Sequence, residues 1–198
     1  MTGFTPFDGR DVNASWITAQ SLTGVECLEI PVIWGEPMPR LIKSITHSQP
    51  NIILSMGEGH VGEFTIETLG RNERKQRKDN AGNLPHSLIT PDGPDNHSAS
   101  VNASALQESI SKLNIPIRIS TDAGAFLCEE TLYCLESLKL QYGFLELVAF
   151  VHLPPYGSTL EYQGQERICD KALLESFGKI LLKHVITLHS DSTFDSEE

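Results

Sequence analysis

The segment Phe144 to Leu153, FLELVAFVHL, limits the fold more than any other stretch of the chain. A strand with one wet face alternates apolar and polar residues. This run is almost continuously apolar and reads as a strand buried on both faces. Asn51 to Met56, NIILSM, is a second such strand. Buried strands need helices packed above and below them. Amphipathic stretches alternate with the strand-like runs along the chain. The fold class expected is therefore α/β: an open, twisted, mostly parallel sheet with helices on both faces.

Taken in order, Met1 to Phe4 reads as a short first strand. Asn13 or Ser15 can cap a helix running to about Leu22. Val25 to Ile33 reads as a strand, and Pro37 to His47 as a helix with proline near its first turn. Asn83 to Ser100, rich in Pro, Asp, Asn, Ser and Gly, reads as a long loop, a lid or an interface arm. A helix over Val101 to Leu113 and a strand over Ile115 to Ile119 come next. Asp122, Ala123 and Gly124 then make a turn. Beyond them Leu127, Thr131, Cys134, Leu135 and Leu138 recur at helical spacing. Tyr156 to Arg167 reads as a loop. Ile168 to His184 reads as a closing helix, with Leu173, Leu174, Phe177, Ile180 and Leu181 on its apolar face. We expect one domain over residues 1–190 and an acidic, disordered tail over 191–198.

Composition narrows the function classes. The net charge of −11 disfavours a nucleic-acid partner, and no apolar run reaches the roughly 20 residues of a membrane span. The brief basic cluster RNERKQRK, from Arg71 to Lys78, reads as a solvated loop in so acidic a chain. MTGFTPF lacks the pattern of a signal peptide. The four cysteines, Cys27, Cys128, Cys134 and Cys169, show no metal-type spacing. Reduced thiols in the cytoplasm are the simpler reading. His86 and His97 lack companion ligands, so neither is given a metal role. No metal or organic cofactor is expected.

Chemistry collects on Cys128 and His152. Cys128 sits in the first turn of a helix that follows a strand. Unpaired N–H groups and the positive end of the helix dipole favour a thiolate there and can donate to an oxyanion. His152 closes the apolar run, just before Pro154 and Pro155. The carboxyl ends of strands are where open α/β sheets place their sites. A lone buried cysteine or a lone strand-end histidine is more often structural. Together they suit a nucleophile and its general base.

Four segments carry a family resemblance. STDAGAFLC, Ser120 to Cys128, fits the pattern S-x-D-A-G-x-[FY]-L-C of the pyroglutamyl peptidase I, or pyrrolidone-carboxylate peptidase, family. FVHLP resembles that family's FIHVP. TGFTPFDG followed by NASW resembles TGFxPFGG followed by N-x-S-W. FTIETLGRN resembles [IV]-[ST]-x-E-[KR]-x-x-x-N, matching it at Thr65, Glu67 and Asn72. The likeness runs from Thr2 to about Ile186. It implies the peptidase fold, a tendency to oligomerise, and peptides with an N-terminal pyroglutamate as partners. It implies a thiol peptidase that cleaves the bond after that group through a thioester. Cys128 would be the nucleophile, His152 the base and Glu67 the acid that orients it. Phe4 and Phe7 would hold the flat lactam ring.

The chain also departs from that family. Asp8 replaces the first glycine of the usual pair. MGEGHVG stands where VGxAxGR is usual, so Gly57 or Glu58 falls where a polar residue meets the lactam. The family's arginine near the oxyanion falls on Gln76, and Arg74 or Arg77 would have to replace it. These departures keep two other readings open: a non-catalytic relative, and a cysteine amidohydrolase acting on another small acyl amide.

Overall fold

The elements follow one another as β1 (Thr2–Phe4), α1 (Ala14–Gln20), β2 (Leu28–Ile30), α2 (Pro37–Ser48), β3 (Ile52–Glu58), β4 (Phe64–Glu67), β5 (Leu69–Arg71), β6 (Asn96–Ser98), α3 (Ala103–Ser111), β7 (Ile117–Ser120), α4 (Leu127–Gln141), β8 (Leu147–Leu153), β9 (Thr159–Tyr162), β10 (Gln165–Ile168) and α5 (Lys171–Phe194). The structure is a computed structural model that describes residues 1–194. Its centre is a six-stranded sheet in the order β2-β1-β3-β8-β4-β7. The first four of these neighbours run parallel. β4 runs antiparallel to β8, with Thr65 opposite His152, and β7 runs parallel to β4. The expected α/β architecture is thus present, with a reversed strand pair at one edge.

Period-two alternation sorts each strand between two cores. On β3 and β8, Leu54, Met56, Ala149, Val151 and Leu153 face one core, shared with α1, α3 and α5. Ile53, Val148 and Phe150 face the other, shared with α2 and α4. β4 follows the same rule. Phe64 and Ile66 enter the first core, so Thr65 and Glu67 face the α4 side. His152, one residue on from Val151, also faces the α4 side.

Several elements differ from the sequence expectation. β2 is shorter than Val25–Ile33 and stops before Pro31, which has no N–H to give a ladder. The segment read as a loop over Tyr156 to Arg167 is largely a hairpin of β9 and β10. Its two-residue turn, Gln163 and Gly164, has φ of 52° and 75° at successive positions, the geometry that suits strand twist. The long loop contains β6, whose His97 pairs with Gly70 of β5. α5 runs beyond His184 to Phe194 and reaches into the stretch read as a tail; the rest of that stretch, 195–198, lies outside the described residues. Among the described residues, no helix is long and apolar enough to cross a membrane.

α4 is also less amphipathic than its spacing suggested. Glu129, Glu130 and Glu136 are buried along with its apolar residues. Each carboxylate accepts hydrogen bonds from a loop. Glu129 takes the N–H of Arg71 at 2.6 Å and that of Ala125 at 3.2 Å. Glu130 takes the N–H of Gly35 at 2.9 Å and a bidentate pair from Arg74, both at 2.7 Å. Glu136 takes the N–H of Ser100 at 2.9 Å. Buried carboxylates are tolerable when so bonded. Here they pin the loops around α4.

Candidate active site

The site forms where α4 starts above β3 and β8. Gly57 and His152 lie side by side in the sheet, and Thr65 lies beyond His152. A Cβ at Gly57 would come 2.5 Å from Cys128 Sγ and 3.2 Å from His152 Cδ2. Only glycine leaves room there for the thiol to stand over the sheet. A Cβ at Gly59 would come 2.8 Å from His152 Cβ. Gly57 and Gly59 of MGEGHVG therefore make space for the thiol and the imidazole.

His152 Nδ1 hydrogen-bonds Glu67 Oε1 at 2.8 Å, and the Thr65 hydroxyl donates to the same oxygen at 2.6 Å. An ionised carboxylate only accepts, so Nδ1 carries the proton and Nε2 is left for the thiol. Glu67 is 1 % exposed and His152 8 %. Burial pushes the Glu67 carboxyl up, but the hydrogen bond and charge of His152, with Thr65, outweigh it and hold it below its usual range. Burial likewise works against a charged His152. Cys128, as a neighbouring charge and hydrogen-bond partner, and then Glu67 outweigh it, so the imidazole is held above its usual range. That direction favours the imidazolium, the form His152 reaches once a proton has passed to Nε2.

The approach to Cys128 is strained and open. Ala125 adopts φ 51°, held by its N–H bond to Glu129. Phe126 occupies the N-cap of α4 and its side chain makes no capping hydrogen bond. The first-turn N–H groups thus stay available to an oxyanion. β7 runs antiparallel to β8, so Cys128 does not stand at the carboxyl end shared by β3 and β8 simply by following its own strand. The turn after Ser120 brings the chain back.

A cavity of about 230 Å³ opens in front of these groups, lined among others by Phe4, Phe7, Arg77, Phe126, Cys128 and His152. Phe4 is buried at the end of β1, and Phe7 is half-buried on the loop that follows. The Phe126 ring lies 6.4 Å from Phe7 and 4.9 Å, edge-on, from Trp34. The sequence reading gave Phe126 no role, although the [FY] position of the cysteine motif marked it.

Three of the expected substrate-contact residues, Gly57, Glu58 and Arg74, have other places in this geometry. Glu58 borders the cavity, but strand parity turns it toward α1 and away from Cys128. Its carboxylate is bound by Arg10 and by the Ala14 N–H, the latter at 3.0 Å. Gly57, beneath the thiol, offers no polar side chain. Neither residue supplies a free lactam contact. Arg74 is committed to Glu130 and to the Leu88 carbonyl, and does not line the cavity. Arg77 does line it. Its guanidinium lies 4.4 Å from the Phe126 ring centroid and pairs with Asp8 at 2.5 Å. Asp8 has φ 53°, which explains a glycine at that position in the resembled family. Its carboxyl is held below the usual range, chiefly by the Arg77 hydrogen bond.

Comparison with known proteins agrees with this architecture. A model of the pyroglutamyl peptidase family matches residues 1–166. The pyrrolidone-carboxylate peptidase of Finegoldia magna is 30 % identical over 163 residues, covering 78 % of this chain and 76 % of that protein. The pyrrolidone-carboxylate peptidase of Streptomyces coelicolor is 32 % identical over 164 residues, covering 77 % and 72 %. The crystal structure of pyroglutamyl peptidase I from Bacillus amyloliquefaciens superposes with a TM-score of 0.82 at 25 % identity, covering 92 % of this chain and 91 % of that one. By its sequence and its fold, the chain belongs to the pyroglutamyl peptidase family.

Proposed function

We propose that this protein hydrolyses the bond after an N-terminal pyroglutamyl group of peptides, with Cys128, His152 and Glu67 as its catalytic triad. One observation carries the reading. The thiol, the imidazole and the carboxylate share one face of the sheet, with the His152–Glu67 bond at 2.8 Å, at an aromatic-walled cavity. In the proposed mechanism Cys128 Sγ attacks the acyl carbonyl. His152 takes the thiol proton through Nε2 and gives it to the leaving amine. Glu67 keeps the proton on Nδ1 and stabilises the imidazolium. First-turn N–H groups of α4 donate to the oxyanion, and Arg77, which lines the same cavity, is the arginine assigned to assist. Water, activated by His152, then releases pyroglutamate from the thioester.

Phe4 and Phe7, joined by Phe126, form the apolar surface for the uncharged lactam. Hydrolysis of a pyroglutamyl-amide reporter tests the proposal, together with mass mapping of the thiol alkylated first. Release of the reporter by the native chain and its loss in Cys128→Ser are expected. A native chain that binds but never cleaves any pyroglutamyl amide would overturn it. The altered rim, with its Asp8–Arg77 and Glu58–Arg10 pairs, favours another small acyl amide as the second reading.

A further inference from the structure

We propose that Lys75 makes this enzyme prefer substrates with a negative charge on the leaving side of the scissile bond. The inference rests on the pyroglutamyl-peptide reading above. It starts from an account of the charges around the cavity. Arg10 lies on Glu58, Arg77 on Asp8 and Arg118 on Glu63. Glu67 belongs to His152. Asp122 accepts from Arg71 at 3.2 Å and from the Gly124 N–H at 3.0 Å. Lys75 also lines the cavity and is exposed. Among the described residues, no carboxylate lies within ion-pair distance of its ammonium. Asp122 feels its charge, but only as the weakest of the influences on that carboxyl.

The position of Lys75 is fixed close to the nucleophile. Its backbone N–H donates to the Ala125 carbonyl at 2.7 Å, three residues before Cys128. Its ammonium stands 5.9 Å from the centroid of the Phe126 ring. Lys75 thus sets a cation without an ion-pair partner among the described residues at the mouth of the cavity, in a chain of net charge −11. The pyroglutamyl lactam has no ionisable group. A substrate anion that meets Lys75 therefore comes from the leaving part. It is either an acidic side chain on the next residue or the terminal carboxylate of a dipeptide. Both present the same carboxylate to the same ammonium.

Kinetics on four substrates separates these sources: pyroglutamyl-glutamic acid α-amide, pyroglutamyl-alanine, pyroglutamyl-alaninamide and pyroglutamyl-lysinamide. At low salt we expect kcat/KM for an anionic substrate to exceed that for the lysinamide by about 3- to 10-fold, the range of an exposed pair gained on one side and a repulsion on the other. Lys75→Gln should erase the ratio and Lys75→Glu should invert it, and molar salt should flatten it in the native enzyme. The arm that moves with Lys75 identifies the carboxylate source. A ratio that stays the same in native protein and Lys75→Glu overturns the inference. If no peptide is cleaved, the peptidase reading fails on its own. Titration of the same peptides onto Cys128→Ser then decides the matter for Lys75: a charge preference reversed by adding Lys75→Glu supports it, and equal affinities overturn it.

Discussion

The floor of the cavity is built from strand residues, while its rim is built from loop residues joined by ion pairs. On the floor, Gly57, Thr65, Glu67 and His152 take their places from sheet register and strand parity. A whole sheet would have to slip to move one of them. On the rim, Asp8, Arg10, Arg77 and Arg118 hold their places through partners far away in sequence. The Asp8–Arg77 and Arg118–Glu63 pairs are exposed, so each is worth little and is screened by salt. A peptidase assembled this way should keep its chemistry rigid while its selectivity drifts. The departures from the usual family pattern fit that division. Asp8 and Arg77 answer each other across the rim, and Glu58 is answered by Arg10.

Substitutions on the floor should have the largest effects. Cys128→Ser should lower kcat for a pyroglutamyl amide by about 10⁴-fold or more, as loss of a nucleophile does. Cys134→Ser should leave it almost unchanged. Cys134 lies about 240° around the helix from Cys128, is fully buried, and burial pushes its thiol far up. Gly57→Ala adds a carbon where the Cys128 sulfur stands, and a displacement of about 1 Å should cost on the order of 10²-fold. Normal kcat in Gly57→Ala would mean that the thiol does not work from this position. Glu67→Gln keeps the shape but not the charge that holds imidazolium. It should lower kcat by about 10²- to 10⁴-fold with KM little changed. Stopped-flow measurement of acylation separates that loss from slow product release, and an unchanged acylation rate would remove Glu67 from the triad.

The same division explains what could be read from the sequence. The buried strands and Cys128 in the first turn of its helix were legible because apolar runs and helical spacing are local signals. His152 was legible as a strand-end histidine matched to Cys128, and Glu67 only through a motif; their meeting depends on β4 running antiparallel to β8. Nothing local states that direction. Gly57 and Glu58 stayed alternatives for the position that meets the lactam because their parity could not be fixed until the ends of β3 were known. Arg74 and Arg77 were equal candidates in one basic run. The partner that withdraws Arg74, Glu130, lies 56 residues away on α4. Nothing in the helical spacing marked Glu129, Glu130 and Glu136 as buried, since glutamate is a good helix former on any surface.

Those carboxylates allow a sharper test, because they anchor the loops from below. Burial pushes the Glu136 carboxyl up to about 7, more than the N–H and hydroxyl of Ser100 hold it down. The folded state thus binds the proton more tightly than the unfolded chain. Its contribution to stability is fully present below the usual glutamate range near 4.5 and is lost as pH rises through about 7. At about 1.4 kcal/mol per tenfold change in proton affinity, the loss is roughly 3 kcal/mol at most. Glu136→Gln keeps an acceptor for Ser100 without the charge. Urea unfolding of the variant should therefore vary less between pH 5 and pH 8 than that of the native protein. Parallel pH profiles in the two proteins would show that Glu136 is already ionised in the fold.

The smallest effect belongs to the rim, and it bears most directly on the comparison. Asp8 holds Arg77 from an exposed position, so the pair should contribute only about 0.2–1 kcal/mol. Asp8→Asn tolerates the positive φ of that residue and removes the charge. If Asp8 only orients Arg77 beside Phe126, kcat/KM for a pyroglutamyl amide should fall about 1.5- to 5-fold, with most of the change in KM. If Asp8 instead restrains Arg77 from the oxyanion, kcat should rise by a similar factor. Combining Asp8→Asn with Arg77→Gln decides between these: effects that add would show that the two residues act independently, and a double variant equal to Arg77→Gln alone would show that Asp8 works through Arg77. A loss in Asp8→Asn as large as that in Glu67→Gln would break the division itself, because it would put part of the chemistry on the rim.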